Sequence, residues 1–297
     1  MRVFLTGASG WIGSAVVPEL LNNGHEVLGL ARSDESAALV AALGASVHRG
    51  SLDDLESLRA GASHCEGVIQ LGYNHDFSDM VGAATTDLAA IELFGEVLEG
   101  TGGPLVVASG VLGLTHGRPA TELDVPETSF HPRFAGIQRA LSFSDRGIRS
   151  AAVRFAPTVH GDGDHGFIAT LVGIAREKGV SGYIEDGSNR WPAVHRFDAA
   201  NLVRLTLEKA VAGTSVHAVA EEGVPTKSIA EAIGKGLGIP VRSIPTAEAN
   251  NHFSWMALFF GIDATASNDI TRDALGWVPT NPGLIDDLTK DYYFRQL

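Results

Sequence analysis

The sequence predicts an α/β fold: a doubly wound parallel sheet carrying a smaller C-terminal lobe. Three observations predict it. Val3 to Leu5 is an apolar run with no polar break, as a strand buried on both faces of a parallel sheet requires. That run leads into Gly7-Ala8-Ser9-Gly10-Trp11-Ile12-Gly13, a glycine-rich turn followed by an Ala/Val/Leu-rich helical stretch through about Asn23. Strand-like and helix-like segments then alternate with short connections as far as Phe155, a succession that places helices on both faces of a parallel sheet.

Each element has its own reason. Gly7 tolerates the tight turn, Gly10 lets the backbone come close to a pyrophosphate, and Gly13 lets the next helix pack on the strand. The free N–H groups of that helix then face an anion. The spacing is G-x-x-G-x-x-G rather than the commonest G-x-G-x-x-G, so the nucleotide reading rests on context: a strand before the glycines, a helix after them, and a second strand from His25 to Leu30. An NAD-preferring site ends that second strand with an acid for the ribose hydroxyls. Here Ala31 removes the acid, while Arg32 and Ser33 supply a cation and a hydroxyl suited to a 2′-phosphate, which favours NADP(H) over NAD(H). The plain alternative is an exposed arginine at a strand end.

A helix over about 36–43, a strand at 46–48, a short helix near 54–59 and a strand at 68–71 follow. A longer helix over 80–98, a strand at 105–108, another helix and a strand at 150–155 complete the alternation. Ligands of such a sheet bind beyond the carboxyl ends of its strands, where Ser51, Gly72, Tyr73, Ser109 and Ala156-Pro157-Thr158 stand. After Phe155 the pattern is less regular, with a strand at 215–219, a helix over 226–237 and an extended piece at 241–244. The expected division is a nucleotide-binding domain of 1–156 plus about 193–221, and a substrate-binding lobe of about 157–192 plus 222–297. His252 to Phe260 is apolar on every side if helical, and reads as a core helix or, with Phe77 and Met80 opposite, as the roof of a pocket for a large flat substrate.

Composition narrows the partners. A formal net charge of −13 disfavours nucleic acid and anionic membrane surfaces, and a bound dinucleotide would need a local basic exception. The lone Cys65 excludes an internal disulfide and a multi-thiolate metal site. The chain opens on a strand rather than a signal peptide and has no bilayer-length apolar run, so a cytoplasmic location is the expectation. His160-Gly161-Asp162-Gly163-Asp164-His165 fits a turn into the helix at Phe167–Lys178 as well as it fits a metal site, and no metal is assigned to it. Asp53 and Asp54 read as a solvated helix start, and Asp198 as the cap of a helix running through Val211.

The chain resembles the short-chain dehydrogenase/reductase superfamily in its extended or atypical, epimerase/dehydratase-like branch. The resemblance is carried by Thr6 to Gly13, by Val106-Val107-Ala108-Ser109, by Arg154-Phe155-Ala156-Pro157-Thr158-Val159-His160-Gly161 and by Val194-His195-Arg196-Phe197-Asp198. It implies a Rossmann-type fold and a cofactor held by Gly7, Ser9, Gly10, Trp11, Ile12 and Gly13 at the pyrophosphate, and by Arg32, Ser33, Ser51 and Leu52 at the adenosine end. Leu71, Gly72, Tyr73, Ala108, Gln138, Ala156 and Pro157 would lie along the rest of it. Two departures concern binding: Gly50-Ser51-Leu52 lacks the family's adenine-side acid, and Asp87 stands where an asparagine is usual, as structural support.

The largest departure is at the Tyr-x-x-x-Lys motif, which reads Phe134-Ala135-Gly136-Ile137-Gln138. Phe134 has no exchangeable proton and Gln138 no charge, although Gln138 can still hydrogen-bond the ribose. Candidates for proton supply or carbonyl orientation are Ser109, Tyr73, His75 and His116, a Ser109-bound water, or a phenol on the substrate itself. The pattern is similar to that of tailoring ketoreductases of angucyclinone-type aromatic polyketide pathways. That implies a ketoreductase acting on a bulky aromatic carbonyl compound, as a monomer or homodimer. A sugar-nucleotide epimerase or dehydratase and a non-catalytic NADP-binding sensor are the alternatives.

Overall fold

Val3, Phe4 and Leu5 are completely buried, and the strand they form lies in the interior of a seven-stranded sheet. The computed structural model describes residues 1–74, 79–127 and 131–295; His75 and Phe77 lie outside them. The first half alternates as β1 (Arg2–Thr6), α1 (Gly13–Asn22), β2 (Glu26–Ala31), α2 (Asp34–Ala42), β3 (Ser46–Arg49), α3 (Leu55–Ala62), β4 (Gly67–Gln70), α4 (Met80–Leu98), β5 (Pro104–Gly110), α5 (Arg133–Ser142) and β6 (Arg149–Phe155). The second half runs β7 (Thr158–His160), α6 (Phe167–Lys178), β8 (Ser181–Ile184), β9 (Arg190–His195), α7 (Arg196–Lys209), β10 (Thr214–Ala218) and β11 (Glu221–Pro225). It ends with α8 (Thr226–Leu237), β12 (Val241–Ile244), α9 (Thr246–Phe253), α10 (Ala257–Phe260), α11 (Asp269–Leu275) and α12 (Leu284–Asp287).

The main sheet has the order β10-β6-β5-β4-β1-β2-β3, with all neighbouring strands parallel. Its strand order turns back between β1 and β4, where the connections leave in opposite directions and open a crevice. One face packs on α1 and α7, through Val16, Leu20, Leu202 and Val203, and the other on α3, α4 and α5, through Leu58, Ile91, Phe94 and Ile137. Beyond it lie a three-stranded sheet, β11-β9-β7, and the pair β12-β8. A third cluster around Ile168, Trp191, Ile233, Phe253 and Phe260 gathers α6, α8, α9 and α10. Ala266, Leu275 and Trp277, late in the chain, pack back against the α1/α7 side of the main sheet.

Two local expectations are corrected. The stretch 252–260 is not one helix. Ser254, at φ 52°, ends α9, a short 3-10 turn follows, and α10 resumes in a new direction. Phe253, Met256 and Phe260 are thereby buried while Trp255 and Leu258 face outward. Asp198 does not cap α7 either; His195 does, its ring accepting the Phe197 N–H. The buried Asp198 carboxylate accepts the backbone N–H groups of Thr280 and Asn281 and the Asn281 amide, fastening the C-terminal segment to the first turn of α7. Among the described residues no helix is long and apolar enough to cross a membrane.

Candidate functional site

The site is built where β1 and β4 end side by side. Thr6 and Gln70 are register partners there, and both are completely buried. The Thr6 hydroxyl donates to Gln70 Oε1 (2.5 Å) and accepts the Gly72 N–H (3.0 Å). The Gln70 amide donates to Gly72 O (3.2 Å) and to Asp87 Oδ1 (3.0 Å), and Arg133 Nε lies 3.4 Å from Asp87 Oδ2. Buried polar groups of this kind hold a unique geometry because leaving any one unsatisfied costs about 1–3 kcal/mol. Asp87, expected as a support, is the anchor that links α4 and α5 to the strand ends. Thr6 was read only as the start of the glycine motif, and Gln70 and Arg133 went unnamed from the sequence; the one available sign was a glutamine inside an otherwise apolar strand.

The glycine turn fits a cofactor because it leaves no room for side chains. At Gly7, with φ 69°, an added Cβ would lie 2.7 Å from Gly72 N; at Gly13 it would lie 2.0 Å from Gly7 O. Gly10 is different: it is exposed, and a Cβ there would meet only Gly7 O, at 3.2 Å, so its open side is available to a ligand. Ser9, Trp11 and Ile12 complete the turn, Leu71 and Gly72 close on Gly7 from the neighbouring strand end, and the Leu52 side chain lies beside Gly72. The backbone N–H groups at this end of α1 suit a pyrophosphate.

Just past β2, where the sequence resemblance puts the adenosine, Arg32 is exposed and takes part in no carboxylate pair among the described residues. Ser33 caps α2, accepting the Ser36 N–H in a capping box, so its hydroxyl already has a role in the fold. Arg49, missed from the sequence, is the register partner of Ala31; its guanidinium holds Ser33 O (2.8 Å) and the exposed Asp34 (3.0 Å). Two cations thus flank the ends of β2 and β3. The Ser51 hydroxyl is turned to Asp53, and Asp54 caps α3.

Near the carboxyl end of β5, Ser109 has a buried hydroxyl with no partner among the described residues. Ala108 precedes it, and Ala156 and Pro157 lie at the end of the adjacent β6. Phe134, expected from the sequence to occupy the family's proton-donor position, is buried near the start of α5. The Gln138 amide donates to Pro126 O (2.8 Å) rather than standing free for a ribose. Tyr73 is half-buried with the Arg133 guanidinium 4.0 Å above its ring; burial pushes its phenol up, and Arg133 opposes that shift. The other tyrosines are elsewhere: Tyr183 lies in β8, Tyr292 binds Asp287, and Tyr293 binds Asp164. His116 sits on an exposed turn past β5.

The segment 160–166 makes the turn into α6 and lies against Trp11, whose Nε1 donates to Val159 O (2.7 Å). His160 itself belongs to β7, buried, with Nδ1 2.8 Å from Asp287 Oδ2. His165 packs edge-on to the Trp11 ring. Among the described residues no three or more His, Cys, Asp and Glu side chains are grouped to hold a metal.

A parallel sheet of this strand order, with a glycine turn at its switch point, is the architecture of the dinucleotide-binding α/β proteins. Residues 3–220 match the NAD dependent epimerase/dehydratase family, and the chain belongs to it. The protein C2A9.02 of Schizosaccharomyces pombe is 48% identical over 296 residues, 99% of this chain and 100% of that one. The 3-diazoavenalumate denitrifying reductase of a Streptomyces species is 27% identical over 98% of this chain and 100% of its own. Among solved structures, DesIV, a dTDP-glucose 4,6-dehydratase from Streptomyces venezuelae with NAD and TYD bound, superposes with a TM-score of 0.78 at 19% identity, covering 99% of this chain and 97% of that one.

Proposed function

We propose that the protein is an NADPH-dependent ketoreductase that reduces a ketone on a bulky aromatic, polyketide-type substrate without a Tyr/Lys pair. The observation that carries this reading is the pairing of a buried phenylalanine, Phe134, where the sequence resemblance puts the usual acid, with a buried Ser109 hydroxyl that has no partner among the described residues and that the resemblance puts at the carbonyl. Ser109 donates to the substrate oxygen and fixes its orientation, and positioning of this kind supplies much of the acceleration of a hydride transfer. Bound nicotinamide supplies the hydride. An epimerase or dehydratase also needs a group that takes a proton from a sugar carbon or hydroxyl, and Phe134 cannot. The Streptomyces relative's name as a reductase supports reduction as the direction.

The proton comes from a phenol beside the substrate ketone or from a water held by Ser109, with Tyr73 as the protein alternative. NADPH oxidation tests this with ketones bearing a neighbouring phenol against their O-methyl ethers. Faster turnover of the free phenol is expected. Equal rates would move the donor to Tyr73 or water. Turnover of sugar nucleotides instead would return the protein to its family's usual chemistry, and tight NADPH binding without any turnover would make it a sensor.

The preference for NADPH rests on Arg32, with Arg49 as a second cation. Losing a charge-assisted hydrogen bond costs about 1.5–3 kcal/mol, so Arg32→Ala should weaken NADPH binding about tenfold or more. NADH binding should stay within about twofold, since it brings no 2′-phosphate. Equal losses for both nucleotides would place Arg32 outside the phosphate site.

A further inference from the structure

Arg196 begins α7, and its surroundings are built around it. Its stem crosses Gly161, where an added Cβ would come within 3.0 Å of Arg196 Cγ and 3.1 Å of Cδ. The guanidinium lies 4.0 Å above the Trp11 ring, with Nη2 donating to Ser14 Oγ (2.9 Å) and Nη1 to Asp162 O (3.3 Å). Nε is buried and has no partner among the described residues. Arg139, Arg146, Arg190 and Arg204 rest on carboxylates, whereas the described ion pairs include none with Arg196. Its direct partners are the Trp11 and Phe197 rings, a hydroxyl and a carbonyl; burial pulls its pKa down, while the charges of Asp162 and Asp164 act against that.

The location gives this cation a use. Trp11 belongs to the glycine turn and Ser14 to the first turn of α1, a ten-residue helix with no acid in that turn. The charge is therefore fixed at the end of α1 whose dipole and free N–H groups already favour an anion. In a chain of net charge −13 it is a local basic exception at the glycine turn itself.

We propose that Arg196 is a cofactor-positioning residue that neutralises the dinucleotide's pyrophosphate through the field it sets at the first turn of α1, while its stack on Trp11 holds the 161–166 turn against the glycine turn. The proposal rests on the dinucleotide reading but not on the identity of the substrate. It adds a residue from the β9–α7 junction to a site otherwise made by the first two strands and the strand ends.

The test measures binding of NADPH and of adenosine 2′-monophosphate, which lacks the pyrophosphate, to wild type, Arg196→Lys and Arg196→Gln. Both replacements keep a long stem over Gly161. At low salt, about 20 mM, Arg196→Gln should weaken NADPH about five- to tenfold, the gap narrowing at about 300 mM as screening shortens the reach of the charge. Arg196→Lys should recover most of the affinity, and adenosine 2′-monophosphate should bind all three proteins alike. Unchanged NADPH affinity in Arg196→Gln would overturn the proposal. So would a loss that lysine does not rescue, that salt does not alter, or that extends equally to adenosine 2′-monophosphate, since those mark a purely structural strap. A wild-type protein that binds neither NADPH nor NADH would instead overturn the dinucleotide reading, and Arg196's role with it.

Discussion

Gly13→Ala should destabilise the whole chain, whereas Gly10→Ala should leave the fold intact and remove the cofactor. A methyl at Gly13 would sit 2.0 Å from Gly7 O and 2.8 Å from Gly7 C. Gly7 cannot retreat: it holds φ 69° and already backs onto Gly72, where even its own missing Cβ would find only 2.7 Å. The strain therefore passes to the β1–β4 junction, where Thr6, Gln70, Gly72 and Asp87 share one buried hydrogen-bond network. A loss of about 3 kcal/mol or more is expected, at the upper end for overpacking and a large share of a domain's usual 5–15 kcal/mol. A denaturant midpoint measures it.

Gly10 faces outward and its methyl would meet only Gly7 O, at 3.2 Å rather than 2.0 Å, so the change should cost about 1 kcal/mol, well below the loss at Gly13. It does occupy the space through which the backbone approaches a pyrophosphate, so NADPH affinity should fall at least about tenfold. A Gly10→Ala protein that binds NADPH as wild type does would show that this turn is not the pyrophosphate cradle, whatever happens at Gly13.

The legible parts of the fold are those whose cause is local. Met80–Leu98, Phe167–Lys178 and Thr226–Leu237 follow from apolar periodicity, and the structure has these three helices with the same ends. β7 and β9 were not legible, because Thr158, His160, Arg190 and His195 break the apolar run. Thr158, His160 and Arg190 have partners that no sequence window contains: Thr158 donates to Pro192 O, 34 residues on, His160 Nδ1 meets Asp287, 127 residues on, and Arg190 meets Asp263, 73 residues on. Asp198 misled for the same reason. An acid at a helix start reads as a cap, yet its acceptors serve Thr280 and Asn281, and tertiary context overrides the local rule.

The site divides likewise. The glycine turn and the serine at the end of β5 are chemically recognisable in one dimension. Arg49, Arg133 and Arg196 owe their roles to register, stacking and a crossing over Gly161, which exist only once the chain is folded. The residues that hold the site together were therefore harder to read than the residues that line it.

Acid should loosen the protein through His217, close to the segment that follows Ser109. His217 is fully buried on β10, beside its register partner Arg154 on β6. The ring is neutral with its proton on Nδ1, since Nδ1 faces Ser267 O (2.8 Å) and Nε2 accepts from Arg154 Nη1 (3.4 Å). A second proton would have to sit on Nε2, against a guanidinium. Burial holds the His217 pKa down at about 4, with Arg154 acting in the same direction and Glu122 and Asp124 opposing. An unfolded histidine titrates near 6.5. Between about pH 6.5 and 4 the unfolded chain therefore takes up a proton that the folded chain refuses, so this stabilising contribution is present above pH 6.5 and is lost as pH falls toward 4. The loss is on the order of 3 kcal/mol.

The consequence reaches the site because the same cluster ties down the loop after β5. Glu122 Oε1 accepts from the Thr271 N–H and hydroxyl, and Ala120 pairs with Thr265 and Ser267. His217→Gln keeps a donor for Ser267 O but cannot titrate, so its stability should be flatter than wild type across that window. Urea midpoints at pH 4.5 and 7 decide it: profiles that run parallel for the two proteins would remove His217 as the acid-sensitive group. Asp124, held well below the usual carboxylate range by Arg118, would release the loop only at lower pH than the histidine does, so the two transitions are separable.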